Sequence, residues 1–112
     1  MSRDDAHILD ILNAARTALS FVRDVERDAF DQDEKTQSAV LYQLTILGEA
    51  AKRVSEGFKQ AHLEVPWRKM AGTRDRVVHD YDRVSLDKVW EVLQNDLPAL
   101  VATLEPLEPK RP

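Results

Sequence analysis

Apolar residues that recur every three or four positions constrain the fold of this chain more than any other feature. Such spacing places the apolar side chains on one side of a helix, where they can be buried together. The pattern runs over residues 6–25, then from about 33 to 58, and again over 85–104. No stretch alternates apolar and polar residues as a half-buried strand would. The sequence therefore predicts an all-α fold, a helical bundle of about four main helices with short links.

Local signals refine the first two helices. Asp4 or Asp5 is expected to cap the first helix, and residues 26–33 to form a polar connector anchored by Phe30. Gly48 lies in the middle of the second helix, where glycine costs about 1 kcal/mol relative to alanine. We therefore expect another helix or a ligand to approach closely at Gly48.

A second set of signals lies between the long apolar stretches. Pro66 is suited to the first position of a short helical turn over 66–70. Thr73 follows Gly72 and is expected to cap a short helix that extends from Arg74 to about Tyr81.

The end of the chain is predicted to contain one long, interrupted helix. Ser85 is its expected N-cap, and Pro98 should kink it because proline donates no backbone hydrogen bond. Residues 105–112 are rich in proline and are expected to form a disordered tail. This leaves residues 1–104 as a single helical domain.

Composition excludes several classes of protein. The chain has 112 residues, of which 43% are hydrophobic and 32% charged, with three glycines and no cysteine. Disulfides, thiolate zinc sites and cysteine nucleophiles are therefore excluded. The first residues lack the features of a signal peptide, and no apolar run approaches the roughly 18 residues of a membrane span. We expect a cytoplasmic protein that does not enter a membrane.

Charge is distributed unevenly along the chain. The net charge is −4, which disfavours broad attraction to nucleic acid. Residues 67–83, however, contain five basic and three acidic side chains, a net of +2 that leaves −6 for the remainder. A polyanion such as RNA is expected at this segment, and the predicted RNA-binding residues are Arg68, Lys69, Arg76 and Arg83.

The same segment contains residues suited to cleaving RNA without a metal. On a helix, Asp75 would share a face with His79 and could orient its imidazole. A histidine can transfer protons to and from ribose and phosphate oxygens, and a guanidinium such as that of Arg74 can stabilise charge on a phosphoryl group. Because one histidine cannot easily act as both acid and base, a two-fold dimer that supplies a second copy would help. The simpler interpretation of these residues is a solvated cluster of surface ion pairs.

Other candidate residues carry weaker signals. His7 and His62 show no metal-ligand spacing, so neither a metal nor a cofactor is expected. Glu49 could face a partner or an active-site arginine, although exposure to solvent is slightly favoured. Trp67 and Trp90 are expected to be core or interface anchors rather than platforms for stacking bases.

The pattern Arg74-x4-His79-x-Tyr81 resembles the signature of HepT-type proteins in the HEPN superfamily. Asp75 fits the polar residue that the superfamily places directly after its arginine. Further segments resemble that family in the expected order: ILGEAA at 46–51, VPW at 65–67, AGTR at 71–74 and DLPAL at 96–100.

This resemblance implies a helical bundle that dimerises with its Arg-His motifs facing a shared cleft. It implies a metal-independent toxin ribonuclease and a cognate antitoxin of the minimal nucleotidyltransferase type, which transfers AMP to the motif tyrosine. Carried over by position, Arg74 and His79 become catalytic, Asp75 supporting, and Tyr81 the site of modification.

Two further functions are compatible with the sequence. The basic segment could belong to a non-catalytic module that holds a nucleotide or docks a nucleotidyltransferase. The chain could also be a purely structural dimerisation bundle. The RNA target is left open.

Overall fold

The computed structural model describes residues 2–79 and 83–110, and these are almost entirely helical. In this part of the chain the only strands are two residues long. The prediction of an all-α fold is confirmed. The elements are α1 (Arg3–Phe21), α2 (Arg27–Asp31), α3 (Glu34–Arg53), α4 (Glu56–Ala61), α5 (Trp67–Ala71), α6 (Thr73–Val77), β1 (Val78–His79), β2 (Arg83–Val84), α7 (Leu86–Glu91), a π-helical segment (Val92–Asp96), α8 (Leu97–Leu104) and a 3-10 turn (Glu105–Leu107).

The two longest helices, α1 and α3, pack against each other and form the base of the bundle. α8 covers α1, and α5 and α6 lie on α3. The buried apolar residues of α1 and α3 follow the helical spacing seen in the sequence: Ile8, Ile11, Leu12, Ala15 and Ala18 on α1, and Val40, Leu44, Leu47 and Ala51 on α3. Burial of these faces stabilises the helices, since isolated helices are marginal in water.

The cap of α1 differs from the predicted one. Ser2 is the N-cap: its Oγ accepts a hydrogen bond from the Asp5 N–H at 3.0 Å, and Asp5 Oδ2 accepts one from the Ser2 N–H at 3.3 Å. The prediction of Asp4 or Asp5 as the cap is therefore wrong, although Asp5 completes the capping box. Asp4 instead accepts hydrogen bonds from the Ser55 N–H at 2.8 Å and its hydroxyl at 2.6 Å.

The connector after α1 contains the short helix α2. Its anchor is Phe30, as predicted: the side chain is fully buried, and its ring centroid lies 5.3 Å from that of Trp90. Asp33 caps α3, since its carboxylate accepts a hydrogen bond from the Thr36 N–H at 3.1 Å. The connector between α1 and α3 is thus anchored by a buried aromatic contact with α7.

The second predicted helix is two helices. α3 ends at Arg53, because Val54 adopts an extended backbone (φ −64°, ψ 137°) and Ser55 caps α4 through the Phe58 N–H at 3.2 Å. The expectation of one helix that continues to about Phe58 is therefore wrong. The hydrogen bonds that Ser55 donates to the Asp4 carboxylate hold the break against α1.

Gly48 provides the close approach that its position predicts. A Cβ atom at this residue would lie 3.3 Å from the Met70 carbonyl oxygen and 3.4 Å from that of Ala71. The backbone at the end of α5 therefore crosses α3 at a distance that a side chain would obstruct. This contact determines how closely α5, and α6 after it, can lie on the bundle.

The last long helix is interrupted near Pro98. Ser85 is its N-cap, as predicted, and accepts a hydrogen bond from the Lys88 N–H at 3.3 Å. The segment Val92–Asp96 is π-helical, and the Leu97 N–H bonds to the carbonyl of Val92. Proline removes a backbone donor at this point, so the interruption takes the form of a widened turn.

Part of the predicted disordered tail is folded onto the bundle. The 3-10 turn Glu105–Leu107 continues from α8, and both carboxylate oxygens of Glu108 accept hydrogen bonds from the Arg16 guanidinium at 3.0 Å. The prediction of disorder is wrong for residues 105–108, because a bidentate ion pair to α1 holds them. No helix among the described residues is long and apolar enough to cross a membrane.

Candidate active site

The segment with the Arg-His motif is a short helix followed by a hairpin. α6 ends at Val77, and Val78 has an extended backbone (φ −108°, ψ 120°). β1 pairs with β2 in antiparallel register, with Val78 opposite Val84 and His79 opposite Arg83. The prediction of a helix from Arg74 to about Tyr81 is therefore wrong. β-branched residues favour extended backbone, and the Ser85 N–H closes the hairpin on the Val77 carbonyl at 2.7 Å.

This change of backbone removes the helical geometry assumed for Asp75. The i, i+4 relation brings Asp75 and His79 together only in a continuous helix, and His79 lies outside α6. The Asp75 carboxylate is 79% exposed and lies 3.8 Å from the Arg74 guanidinium. The argument that Asp75 orients His79 from a shared helical face is wrong, and a supporting role for Asp75 remains a prediction.

The hairpin brings Arg83 next to His79 instead. Residues directly opposite in an antiparallel pair have Cβ atoms about 4.5–5.5 Å apart, so the two side chains start from adjacent positions on one face of the hairpin. Both side chains are exposed, as is Arg74. Sequence reasoning named Arg83 only as an RNA contact. The valines on either side of a short polar stretch were the signal for a hairpin.

Two of the predicted RNA-binding residues converge on one carboxylate. Lys69 Nζ lies 3.2 Å from Asp96 Oδ1, and Arg76 Nη2 lies 3.2 Å from Asp96 Oδ2. The Asp96 side chain is only 19% exposed. Sequence reasoning did not name Asp96 as a site residue, since it lies 20 and 27 positions away from its partners. It offsets one of the two positive charges that were expected to meet phosphate.

The other two predicted RNA-binding residues have no counter-charge within the part of the chain that the structure describes. Arg68 and Arg83 are both exposed, and neither forms an ion pair with any of residues 2–79 and 83–110. Together with Arg74 they are the cations most available to a polyanion in this segment.

Thr73 links α6 to α5 rather than capping α6. Its side chain is buried, and its hydroxyl donates a hydrogen bond to the Lys69 carbonyl at 3.0 Å. The N-cap position belongs to Gly72, which has no side chain to offer, so the prediction of a Thr73 cap is wrong. Buried Thr73 and Val77 anchor the two ends of α6 and leave Arg74, Asp75 and Arg76 exposed.

The remaining candidates lie away from the motif or outside the described residues. Tyr81, the predicted site of modification, lies outside them. His62 Nδ1 is 3.4 Å from a carboxylate oxygen of Glu64. Within the described part of the chain, no group of three or more histidine, aspartate or glutamate side chains could hold a metal ion.

Glu49 and the two tryptophans follow the favoured predictions. The Glu49 side chain is half exposed and pairs with Lys52 at 3.3 Å, in agreement with the solvent-facing interpretation. Trp67 is buried and donates its indole N–H to the His62 carbonyl at 2.9 Å, and Trp90 packs on Phe30. Both tryptophans serve as anchors of the core.

Comparison with known proteins identifies the class of protein that has this fold and motif. The family model described as "Ribonuclease HepT-like" matches residues 11–107. A protein named probable ribonuclease HepT, from Thermococcus cleftensis, is 38% identical over 90% of this chain and 92% of its own length. Two proteins of Methanocaldococcus jannaschii named as putative RNases are 34% and 29% identical, over 89% and 94% of this chain and 83% and 98% of their own lengths.

No solved structure matches the chain significantly. The family match covers most of the chain and agrees with the helical fold. The chain belongs to the HepT-like ribonuclease family.

Proposed function

We propose that this chain is a metal-independent endoribonuclease in which Arg74 and His79 act on RNA. The observation that carries the proposal is the placement of these two residues in a member of this family. Both are exposed: Arg74 lies on α6 between buried Thr73 and Val77, and His79 lies two residues after Val77 on β1. Reactive side chains on an anchored segment can meet a substrate without a large loss of conformational entropy.

The chemistry follows from the two side chains. The His79 imidazole takes the proton from a ribose 2′-hydroxyl, and the resulting oxygen attacks the adjacent phosphorus. The bond to the 5′-oxygen of the next nucleotide breaks, and that oxygen receives a proton, which leaves a 2′,3′-cyclic phosphate and a 5′-hydroxyl. Arg74 stabilises the charge that develops on the phosphoryl oxygens.

A homodimer would supply the second acid–base group. One His79 would take the 2′-hydroxyl proton while the His79 of a second copy protonates the leaving oxygen. Arg83, next to His79 on the hairpin, and exposed Arg68 would hold the phosphates on either side of the reacting one. Phosphate binding is thus assigned to two arginines that have no ion-pair partner among the described residues, whereas Lys69 and Arg76 stay paired with Asp96.

The family resemblance extends the proposal to regulation. The protein would be the toxin of a toxin–antitoxin pair, inhibited by a minimal nucleotidyltransferase that transfers AMP to Tyr81. Tyr81 follows His79 by two positions in the sequence. AMP attached there would add a negative charge and a nucleotide next to Arg74 and His79, and both would exclude RNA phosphate.

The decisive experiment is cleavage of total RNA in excess EDTA by protein whose Tyr81 is shown to be unmodified by intact mass. We expect the wild type to degrade RNA and His79→Ala and Arg74→Ala to be inactive. His62→Ala and Arg53→Ala are matched controls away from the motif and should retain activity. Intact RNA with the wild type would refute the ribonuclease proposal, and cleavage that EDTA abolishes would refute metal independence.

A second candidate function is a non-catalytic module that docks a nucleotidyltransferase. The observation that favours it is the limited positive charge, since Asp96 compensates Lys69 and Arg76 on a chain of net charge −4. This alternative predicts intact RNA together with a stable complex between unmodified protein and a nucleotidyltransferase. Gel filtration of the two proteins together distinguishes the two functions.

A further inference from the structure

A cavity of about 250 Å³ opens beside the motif and has no part in the chemistry described above. It lies between α3, α5, α6 and the C-terminal helical segments. Its inner wall is apolar and includes Leu47, Met70, Leu97 and Leu100. Pockets for drug-sized ligands begin at about 300 Å³, so this cavity fits a single ring system rather than a whole nucleotide.

The charges at the rim indicate that the occupant is a neutral group. Lys69 and Arg76 line the cavity, but both pair with Asp96, and Glu64 supplies a second negative charge. The lining is therefore electrically balanced, in contrast to exposed Arg68. A phosphate would find no excess positive charge here, whereas an uncharged base can enter at low cost where its polar atoms gain hydrogen bonds in the cavity.

The remaining hydrogen-bonding capacity of Asp96 selects among bases. A carboxylate can accept about four hydrogen bonds, and the cation contacts use one position on each oxygen. The two positions that remain, one on each oxygen, can accept the adjacent N1–H and N2–H donors of guanine. Adenine would place its N1 acceptor against the carboxylate, and uracil offers only one N–H. Asn95, also at the rim, has an amide that can donate to guanine O6.

The cavity adjoins the reactive segment. Thr73 and Arg76, which line it, lie on either side of Arg74 on α6, and His79 follows α6 directly on β1. Proteins that recognise RNA sequence do so mainly by holding unstacked bases in pockets and bonding to their edges. A base in this cavity would hold an RNA strand with a nearby phosphate at the motif.

We propose that this cavity binds a guanine base of the RNA substrate and that Asp96 reads its donor edge. The inference rests on the proposed ribonuclease function for the source of the base. It adds what that function leaves open, a preference for guanine at a fixed distance from the cleaved bond. Asp96 is then a residue that determines specificity, with no part in proton transfer.

The first test measures binding and does not depend on catalysis. Guanosine is titrated into full-length His79→Ala, and backbone amide NMR signals are followed, with adenosine as the comparison. We expect saturable shifts at Asn95 and Thr103 with guanosine, and at least about tenfold weaker binding of adenosine, since paired hydrogen bonds to a base give discrimination of this order. Equal binding of both nucleosides, or shifts elsewhere only, would overturn the inference.

Two exposed alanines on α8 give a matched pair of variants. Ala99 lines the cavity and Ala102 does not. Ala99→Phe should fill the space and reduce guanosine affinity at least tenfold, whereas Ala102→Phe should leave it unchanged. Unchanged guanosine affinity in both variants would overturn the inference. A change of oligomeric state in Ala99→Phe would also overturn the inference, because it would indicate that a second copy of the chain occupies the cavity.

The second test uses the active enzyme. Sequencing of the ends produced from a mixed-sequence RNA should show guanine enriched at one offset from the cut. Asp96→Asn should reduce that enrichment about tenfold while cleavage continues. Guanosine binding without RNA cleavage would support the pocket and refute the proposed function. Cleavage with neither a base preference nor guanosine binding would support the proposed function and refute the pocket.

Discussion

The contact at Gly48 allows a quantitative test with a built-in control at Gly57. Both glycines lie within helices, where alanine is favoured over glycine by up to about 1 kcal/mol. An added Cβ at Gly57 meets nothing within 4 Å, whereas at Gly48 it would lie 3.3 Å from the Met70 carbonyl oxygen. Both substitutions therefore gain from the preference of a helix for alanine over glycine. Only Gly48→Ala brings the added Cβ into close contact with the backbone of α5.

We expect Gly57→Ala to stabilise the protein by about 0.4–1 kcal/mol. Gly48→Ala should gain a similar amount but lose about 1–3 kcal/mol to overpacking, since two backbone carbonyls of α5 must move. The free energies of unfolding of the two variants should then differ by about 1–3 kcal/mol. For a protein of this size each kcal/mol corresponds to about 4–8 °C in melting temperature.

The assay is urea denaturation followed by circular dichroism, with thermal melts as a second measure. All variants are compared at one protein concentration, since association would make the melting temperature depend on it. If Gly48→Ala is as stable as Gly57→Ala, α5 can withdraw at little cost and the reasoning fails. If it is less stable, RNA cleavage by Gly48→Ala should also fall, because α6 follows α5 directly.

Three further predictions concern stability and the tail. Phe30→Ala should cost about 3–5 kcal/mol in urea denaturation, because a fully buried aromatic ring is removed. Hydrogen bonds from Ser55 lower the pKa of Asp4, so the stability it contributes is present above the carboxyl's unfolded pKa, about pH 4, and is lost as the pH falls through the folded value. Asp4→Asn should therefore flatten the acid limb of the stability profile. Arg16→Ala should remove the bidentate ion pair between α1 and Glu108 and make the C-terminal segment more sensitive to limited proteolysis.

Each of these predictions has a control. Leu63→Ala, at a side chain that is 73% exposed, should cost far less than Phe30→Ala. Asp10→Asn is the matched control for Asp4→Asn because it removes the same charge, and an equal effect from both substitutions would assign the change in the acid limb to net charge. Arg23→Ala should leave the tail protected from proteolysis. Cleavage at equal rates in both arginine variants would show that the ion pair does not protect the tail.

Local sequence signals were sufficient for the elements that depend on near neighbours. Helical spacing predicted α1 and α3, Ser85 caps its helix through a residue three positions later, and Phe30 could be recognised as an apolar residue in a polar connector. Gly48 was informative because an unfavourable residue within a helix requires compensation elsewhere. These features depend on contacts within a few residues or on burial of one side of a helix.

The features that were missed depend on pairing between distant or very short segments. Two-residue strands are too short to show alternation, so β1 and β2 were interpreted as helix and loop. The break after α3 depends on Asp4, 51 positions away from Ser55. The role of Asp96 depends on Lys69 and Arg76 reaching it across the bundle. Charge patterning identified the cations but could not show which of them are paired.

The pairing of Asp96 with α5 and α6 has a consequence for synthesis on the ribosome. A chain is made from its N-terminus, so α1 and α3 can pack before the C-terminal helix exists. Lys69 and Arg76 gain their shared counterion only after the π-helical segment has left the exit tunnel. Until then α5 and α6 lack this contact with the C-terminal helical segments. We therefore expect α5 and α6 of a nascent chain to be cleaved by proteases more readily than those of the released protein, because their pairing with Asp96 forms only at the end of synthesis.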